Sequence, residues 1–469
     1  MPGPNDGVPR PEAGLAPRGG GGEPLPSAAV TMEITYLGHA CLLVRSGGTS
    51  LLMDPWLVDP AYCNSWFHYP PLELGLEDVA PVDFVWCSHD HPDHFDKKTL
   101  ARLPKSQRCL IADFTSKELE RKFRREGFQN LQVLPFGQPV RLGTDLTVTL
   151  LRSDLVWEDS AIVVQGGGTT VFNMNDCKLG DELLREVGRR WAPDIVFVPF
   201  SGAVHFPTCY GYTRQQRAEL TAGRRRKHLD GFVRRCQLLA AKRAVPFAGN
   251  FALLHEDQLW MNEKDQNNIN TPDEAIGLLN EKAPATLGLQ MNPGDRWSLE
   301  RGLVRAKPAP DFAGKQQQLA RMSREWSPRL AALRGAEPEA RESLLEDTRR
   351  YFERIARNHP ELCGRIDARI AIVAEGKNGG ALSLHFHGRT LDVAPFRDGD
   401  PWSFRMTLPA EVLQQAIDGE ICWDEVAISF RVRFAENPEF FNRDFWVMLY
   451  NNTKPFLDEY LANPDPKYS

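Results

Sequence analysis

The fold is decided by the stretch Val85-Trp86-Cys87-Ser88-His89-Asp90-His91-Pro92-Asp93-His94-Phe95-Asp96. The residues that lead into it, 81–87, are mostly apolar and β-prone, and Pro92 prevents a regular helix through the turn. Three histidines and two aspartates lie within residues 89–94. We therefore predict a buried strand that ends in a loop and aims several metal-binding side chains at one point.

The spacing of these side chains indicates which of them act together. His89 and His91, two positions apart in extended backbone, project to the same side, while Asp93 and His94 can address a second centre nearby. The alternative is that backbone groups or solvent satisfy the histidines. Unpaired buried imidazoles so close together would be costly, so we favour metal binding by all four side chains.

The pattern His-x-His-x-Asp-His resembles the signature of the metallo-β-lactamase superfamily. The resemblance implies an α/β fold of the metallo-β-lactamase type, an αββα sandwich with a metal site at one edge. It also identifies Asp176, which follows the apolar run ending at Met174, with the superfamily's bridging aspartate. That aspartate shares its oxygens between two ions.

Composition is that of a globular enzyme in a reducing compartment. With 469 residues, 42% of them hydrophobic, the chain can fill a large core. The formal net charge of -6 does not indicate binding to nucleic acid or to an anionic membrane. No apolar stretch is long enough to span a bilayer. The cysteines, nine in number and scattered, favour reduced thiols, so we expect a cytoplasmic protein.

Composition and periodicity divide the chain into four parts. Residues 1–30, rich in Pro and Gly, are predicted to be a disordered tail, and residues 31–305 a metallo-β-lactamase-like catalytic domain. Residues 306–365 have a helical period, and residues 366–469 alternate strands with a short helix. We expect a helical segment and then a small α+β C-terminal domain that shapes a pocket or a homodimer contact.

Two motifs near the start, Gly38-His39-Ala40 and Asp54-Pro55-Trp56, resemble the superfamily branch that includes lactonases and N-acyl phospholipases. They flank a predicted hairpin whose turn is Gly47-Gly48. The resemblance implies that Asp54 supports the metal-binding loop without being a metal ligand itself. For His39 two interpretations stay open. It lines the catalytic pocket, with Asp93 and Asp176 as the other catalytic candidates, or it makes a structural hydrogen bond.

The chain departs from the superfamily at the later ligands. A typical member supplies another histidine soon after the metal loop, but none lies between His94 and His205 here. The segment at 150–164 offers carboxylates instead. Glu158 is the first candidate ligand and Asp154 the second, against the alternative of an acidic surface turn. A carboxylate in place of an imidazole shifts the preference from zinc toward iron or manganese.

A second departure concerns the ligand that closes the site. Relatives often end a later strand with Pro-x-His, and the matching position here is Ala248. The last ligand must then come from elsewhere in the chain. We favour His255 slightly over His205.

Several later motifs resemble the CMP-N-acetylneuraminate hydroxylase family, among them Ser201-Gly202-Ala203, Asn267-Asn268-Ile269-Asn270 and Trp423-Asp424-Glu425-Val426. The resemblance covers most of residues 33–450. It implies an enzyme with one or two irons that inserts oxygen from dioxygen, using electrons from a Rieske cluster. A Rieske domain needs Cys-x-His and Cys-x-x-His, and no Cys-x-x-His occurs in this sequence. A separate electron donor, a ferredoxin or a Rieske protein, is therefore expected.

Two functions follow from these features. The first is a non-haem iron oxygenase that hydroxylates a polar small molecule, such as an amino sugar, a nucleotide sugar or a biosynthetic intermediate. The second is a zinc or manganese hydrolase of an ester, lactone, amide or phosphodiester, in which Asp93 or Asp176 orients a metal-activated water. The carboxylates and the hydroxylase resemblance favour the first. The superfamily's commoner chemistry and the missing Rieske motif favour the second.

Overall fold

The computed structural model describes residues 31–154, 158–436, 442–450 and 452–462. The predicted tail at 1–30 lies outside the described residues. Within the described ranges, no helix is both long and apolar enough to cross a membrane.

The first part of the chain contains two large sheets with helices between their strands. The strands are β1 Glu33–Gly38, β2 Cys41–Ser46, β3 Thr49–Met53, β4 Trp66–His68, β5 Phe84–Trp86, β6 Arg108–Ala112, β7 Leu131–Leu134, β8 Pro139–Leu142, β9 Leu146–Arg152, β10 Ser160–Gly166, β11 Thr169–Asn173, β12 Ile195–Pro199, β13 Arg243–Phe247, β14 Phe251–Leu253, β15 Leu287–Gly288, β16 Arg296–Ser298 and β17 Gly302–Val304. The helices are α1 Leu76–Val79, α2 Lys97–Ala101, α3 Glu118–Arg125, α4 Asp181–Trp191, α5 Arg214–Leu238 and α6 Pro272–Lys282, with a 3₁₀ turn at Leu259–Asn262.

The larger sheet has the strand order β17-β16-β1-β2-β3-β5-β6-β7, and the facing sheet has the order β15-β13-β12-β11-β10-β9-β8. The predicted hairpin is confirmed: β2 pairs antiparallel with β3, from Leu42 opposite Met53 to Ser46 opposite Thr49. Gly47 and Gly48 have φ angles of 55° and 77°, which is why two glycines suit this tight turn.

Alternation along the strands explains the layers. On β12, Ile195 and Phe197 belong to the apolar cluster between the sheets, while Val196 and Val198 pack outward. The outward cluster also contains Leu184 of α4 and, on α5 and α6, Phe232, Cys236, Ala275 and Leu279. Leu100 of α2 and Phe123 of α3 belong to the same cluster as Ile195 and Phe197. The predicted αββα sandwich is confirmed.

The remainder of the chain is α+β, as predicted. Its elements are α7 Lys315–Gly335, α8 Leu344–Asn358, α9 Pro360–Ile366, β18 Ala368–Glu375, β19 Gly380–His387, β20 Thr390–Pro395, β21 Phe404–Pro409, α10 Ala410–Asp418, α11 Trp423–Ile428, β22 Arg433–Glu436, α12 Arg443–Tyr450 and α13 Lys454–Ala462. The sheet order is β20-β19-β18-β21-β22. The boundaries predicted at residues 305 and 365 stay predictions.

The C-terminal region packs on the first part of the chain through aromatic side chains. Trp56, Tyr62 and Trp66 belong to the same apolar cluster as helices α8–α13. Trp66 stacks on Phe251, with ring centroids 3.5 Å apart and the rings almost parallel. This packing brings the C-terminal helices beside the loop that follows β5.

Candidate metal centre

Strand ends bring the predicted ligands together. The loop with His89 follows β5, and β3 runs parallel to β5 and ends just before Asp54. Parallel neighbours end at the same edge of a sheet, so Asp54 lies beneath the metal loop. Asp176 follows β11 of the facing sheet, and His39 follows β1. The side chains therefore meet where both sheets end.

Asp54 holds the metal loop through two contacts. Its Oδ1 accepts a hydrogen bond from Ser88 N at 2.7 Å, and its Oδ2 lies 3.2 Å from His94 Nδ1. The residue is completely buried and has a φ of 47°, an uncommon conformation outside glycine. Burial raises the pKa of Asp54, and His94 opposes that rise. These contacts fit the predicted supporting role.

Two groups of side chains place their ligand atoms close together, and they share His94. In the first group, His39 Nε2 lies 2.8 Å and His94 Nε2 3.2 Å from Asp93 Oδ2. In the second, ligand atoms of His89, His94 and Asp176 all lie within 4.8 Å of one another. The histidines and Asp93 are buried, whereas the Asp176 side chain is 35% exposed. The loop after β5 therefore contributes to two neighbouring sets of ligand atoms, one completed by His39 and the other by Asp176.

His89 and His91 face each other and two further carboxylates. His89 Nε2 lies 2.8 Å from His91 Nδ1. On its other side, His89 Nδ1 lies 2.9 Å from Ser88 Oγ and 3.3 Å from Asp159 Oδ1. His91 Nε2 lies 3.5 Å from Asp424 Oδ2. Neither Asp159 nor Asp424 was among the site residues predicted from the sequence.

Four of the predicted ligands lie outside this cluster in the structure. The Glu158 carboxylate accepts hydrogen bonds from Ser116 N and Oγ instead. The Asp154 carboxylate accepts a hydrogen bond from the backbone of Gly180. The two histidines, His255 and His205, are likewise placed elsewhere.

The histidines are held by their own packing. His255 Nε2 donates to Asn64 O at 2.7 Å, in the small sheet region of β4 and β14. His205 lies between aromatic rings, with the Trp446 ring centroid at 4.9 Å. Ala248, which stands where relatives often have a histidine, contacts the site through its backbone. Its N donates to His39 O at 3.4 Å.

Asp93 contacts three buried side chains of the cluster. Besides its contacts with His39 and His94, it accepts a hydrogen bond from the buried Tyr62 hydroxyl on Oδ1. His39 is fixed in turn, because its Nδ1 donates to Asn250 O at 2.9 Å. Tyr62 lies in the aromatic loop, residues 54–65 between β3 and β4, and it was not predicted as a site residue because no local spacing relates it to Asp93.

The electrostatics of the cluster favour ionised carboxylates. Burial alone would raise the pKa of Asp93, but His94 and His39 hold it well below its usual range. Burial likewise opposes ionisation of Asp176, yet His94 lowers its pKa to about 2. For His94, burial would lower the pKa, but Asp93 and Asp54 raise it well above the ordinary value. The cluster therefore concentrates negative charge around imidazole nitrogens.

These features fit a bound metal ion. His94 Nε2 is buried and lies 3.7 Å from Asp176 Oδ2, but it makes no hydrogen bond within the described residues. A nitrogen between two ionised carboxylates needs a proton or a metal cation. Imidazole nitrogens and carboxylate oxygens suit first-row transition metals. The chain therefore has the donors for one or two such ions.

A cavity of about 250 Å³ opens beside His89. One wall comes from the first part of the chain and includes Asp90, Lys122 and Glu158. The other wall comes from the C-terminal helices, and its residues include Tyr351, Arg354, Trp423, Tyr450 and Asn452. Lys122 Nζ donates to Asp90 Oδ2 at 2.7 Å, so these two charges neutralise each other.

Comparison with known proteins gives the following similarities. Residues 33–214 match the family described as the beta-lactamase superfamily domain. A Mycobacterium tuberculosis protein named for a Rieske 2Fe-2S iron-sulfur cluster is 30% identical over 71% of this chain and 69% of its own.

A cytidine monophosphate-N-acetylneuraminic acid hydroxylase of Asterias rubens is 24% identical over 94% of this chain and 69% of its own. Among solved structures, a metallo hydrolase of Ignicoccus hospitalis is 19% identical with a TM-score of 0.40, covering 57% of this chain and 98% of that one. The sequence similarities support a metal-dependent hydroxylase or hydrolase.

Proposed function

We propose that this chain, which belongs to the metallo-β-lactamase superfamily, is a non-haem iron oxygenase. Its reaction is the hydroxylation of a polar small molecule. The observation that carries the proposal is the buried cluster of imidazoles and ionised carboxylates around His94. The hydroxylase name of the Asterias relative, which matches 94% of this chain, gives the reaction class.

The donors favour iron over zinc. Asp93 and Asp176 stand with the histidines, and Asp159 adds a third carboxylate at His89. Cys87 lies beside the loop, but burial raises the pKa of its thiol well above the usual value, so it offers no thiolate. Hard oxygen donors with imidazole suit iron or manganese. When bound, iron supplies the redox chemistry that dioxygen activation requires.

Residues of the chain position the ligands and hold protons. His89, His91, Asp93, His94 and Asp176 would hold the metal. The Tyr62 hydroxyl holds a proton at Asp93 Oδ1, and His39, fixed by Asn250, contacts Asp93 Oδ2. His39, Asp93 and Asp176 are the proposed catalytic side chains, because Asp93 and Asp176 lie 3.2 and 3.7 Å from His94 Nε2 and His39 contacts Asp93.

The substrate enters the cavity between the two parts of the chain. Its walls carry both charged and aromatic groups, which suits a polar molecule with a ring or an aliphatic body. The volume of about 250 Å³ is small beside the roughly 300–1,000 Å³ of most ligand pockets. A small biosynthetic intermediate or amino sugar therefore fits better than a nucleotide sugar. Electrons come from a separate ferredoxin or Rieske protein.

The alternative is a zinc or manganese hydrolase. The observation that favours it is the low pKa of Asp93 and Asp176, since ionised carboxylates beside a metal can orient a water whose own pKa the metal lowers.

Metal content and oxygen consumption separate the two functions. The protein is purified from cells supplied with iron, zinc and manganese, and its metals are counted. Oxygen uptake is then followed with a ferredoxin, its reductase and candidate polar substrates. One or two irons per chain, with oxygen uptake that His91→Ala abolishes, would support the oxygenase. Stoichiometric zinc without iron would overturn it and favour the hydrolase.

A further inference from the structure

We propose that Asp424, in helix α11 of the C-terminal region, is a positioning residue for the metal ligand His91. The inference rests on the metal centre of the proposed function and adds to it a residue outside the catalytic domain. The geometry that carries it is the approach of Asp424 Oδ2 to His91 Nε2 at 3.5 Å, opposite the nitrogen that faces His89.

The two nitrogens of His91 have different surroundings. Nδ1 points at His89 Nε2, 2.8 Å away, on the side of the ligand cluster. Nε2 is buried and points away from the cluster, toward Asp424. A ligating histidine usually donates its other N–H to a carboxylate, which fixes the tautomer and the ring orientation. Asp424 is placed to receive that N–H, and this leaves the Nδ1 lone pair free for a metal.

Asp424 is held in place by contacts on both sides of α11. Before the helix, Lys97 Nζ donates to Glu420 O at 2.9 Å. At its end, Trp66 Nε1 donates to Ile428 O at 2.8 Å. Lys97 and Trp66 belong to the catalytic domain, so both ends of the short helix are tied to the part of the chain that carries His91.

One contact inside the C-terminal region and one further contact from the catalytic domain complete this arrangement. Trp423 Nε1 donates to the Tyr351 hydroxyl at 2.9 Å, and Gln258 Nε2 donates to Ser429 O at 3.1 Å. The side chains of His91 and Asp424 are only 17% and 27% exposed. The carboxylate is therefore oriented by its surroundings and is partly shielded from water, so its interaction with His91 is screened less than a surface pair would be.

Asp424 also has a simpler role open to it. It lies in the first turn of α11, where an acidic side chain stabilises the end of a helix. That role would affect folding stability alone. The two roles are separated by a measurement that reports on the metal site itself.

The experiment uses the full chain, stripped of metal and titrated with Co²⁺ against a chromophoric chelator. The variants are Asp424→Ala, Asp424→Asn and Asp424→Glu, with Glu420→Gln as the matched control because that acidic side chain is exposed and lies in the connection just before α11. Both the dissociation constant and the visible Co²⁺ spectrum are recorded. Thermal unfolding of each metal-free variant confirms that it folds.

We expect Asp424→Ala and Asp424→Asn to weaken Co²⁺ binding by about 10- to 100-fold and to alter the Co²⁺ spectrum. Asp424→Glu should recover most of the affinity, because the longer side chain still reaches His91, and Glu420→Gln should match the unaltered protein. Tight binding by the unaltered protein together with unchanged affinity and spectrum in Asp424→Ala would overturn this inference alone. Failure of the unaltered protein to bind Co²⁺ would overturn the metal centre as well.

Discussion

Replacing Asp54 with asparagine should damage the metal centre while leaving the fold nearly intact. The asparagine Oδ1 can still accept the hydrogen bond from Ser88 N, now 2.7 Å long. Its amide NH₂, however, would face His94 Nδ1, which lies 3.2 Å from Asp54 Oδ2. An amide NH₂ can only donate, so Nδ1 would have to accept and the proton of a neutral His94 would move to Nε2. That is the nitrogen that faces Asp93 and Asp176.

The magnitude follows from the lost interaction. A hydrogen bond to a charged group contributes about 1.5–3 kcal/mol, and each 1.4 kcal/mol is roughly a tenfold change in a binding constant. We therefore expect metal binding about 10- to 100-fold weaker in Asp54→Asn. Asp54→Ala should lose stability as well, because it leaves the buried Ser88 N–H without an acceptor, at a cost of about 1–3 kcal/mol.

The assay is a chelator competition with Fe²⁺ or Co²⁺, together with urea unfolding of the metal-free proteins. Asp295→Asn is the matched control. Asp295 is also completely buried and accepts a hydrogen bond from Ala306 N at 2.8 Å, but its side-chain partners are Asn292, Arg305 and Ala306 and include no histidine. The control should lose stability and keep its metal affinity. Unchanged metal affinity in Asp54→Asn would refute the tautomer argument.

Three further predictions follow. Tyr62→Phe removes the hydroxyl that donates to Asp93; we expect slower substrate-dependent oxygen uptake with little change in metal content, and a variant as fast as the unaltered protein would contradict the proposed proton-holding role. In the metal-free protein, burial alone would lower the pKa of His91, but Asp424 raises it from 6.5 to about 9. Protonated His91 therefore stabilises the fold fully below pH 6.5, and this stabilisation is lost as the pH rises through 9. The loss, at most about 3 kcal/mol, should appear in urea midpoints and be absent in His91→Gln. Finally, Asp159→Asn should weaken metal binding and Glu158→Gln should not, because only the former carboxylate faces an imidazole; metal titration with the opposite ranking would restore the sequence-based assignment.

The parts of the centre that could be predicted are those coded by short motifs at strand ends. The metal loop, Asp54 and Asp176 each follow an apolar strand directly, and strand order then brings them together. Of the two acidic residues directly before β10, which begins at Ser160, Asp159 faces His89 Nδ1, whereas the carboxylate of Glu158, the predicted ligand, accepts hydrogen bonds from Ser116. A one-residue change of register reverses the side to which a side chain points.

Contacts between distant parts of the chain had no signal in the sequence. Asp424 reaches His91 only because the C-terminal helices pack on the aromatic loop. Tyr62 reaches Asp93 through the path of that same loop. We expected His255 to supply the last ligand of the site. Its Nε2 instead donates to Asn64 O beside the small sheet of β4 and β14, and the periodicity of the sequence did not indicate that sheet.

The cavity beside His89 has walls from two regions of the chain, and this has a consequence for solvent exclusion. Trp423, Leu449 and Tyr450 form the side that the catalytic domain cannot supply. A chain that ended before α11 would keep His89, His94 and Asp176 in the loops that follow β5 and β11, yet bulk water would reach them. Exclusion of water strengthens electrostatic interactions at a reacting centre and prevents side reactions. For the proposed reaction, the shielding therefore comes from the last third of the sequence, whereas the proposed metal ligands all lie in the first part of the chain.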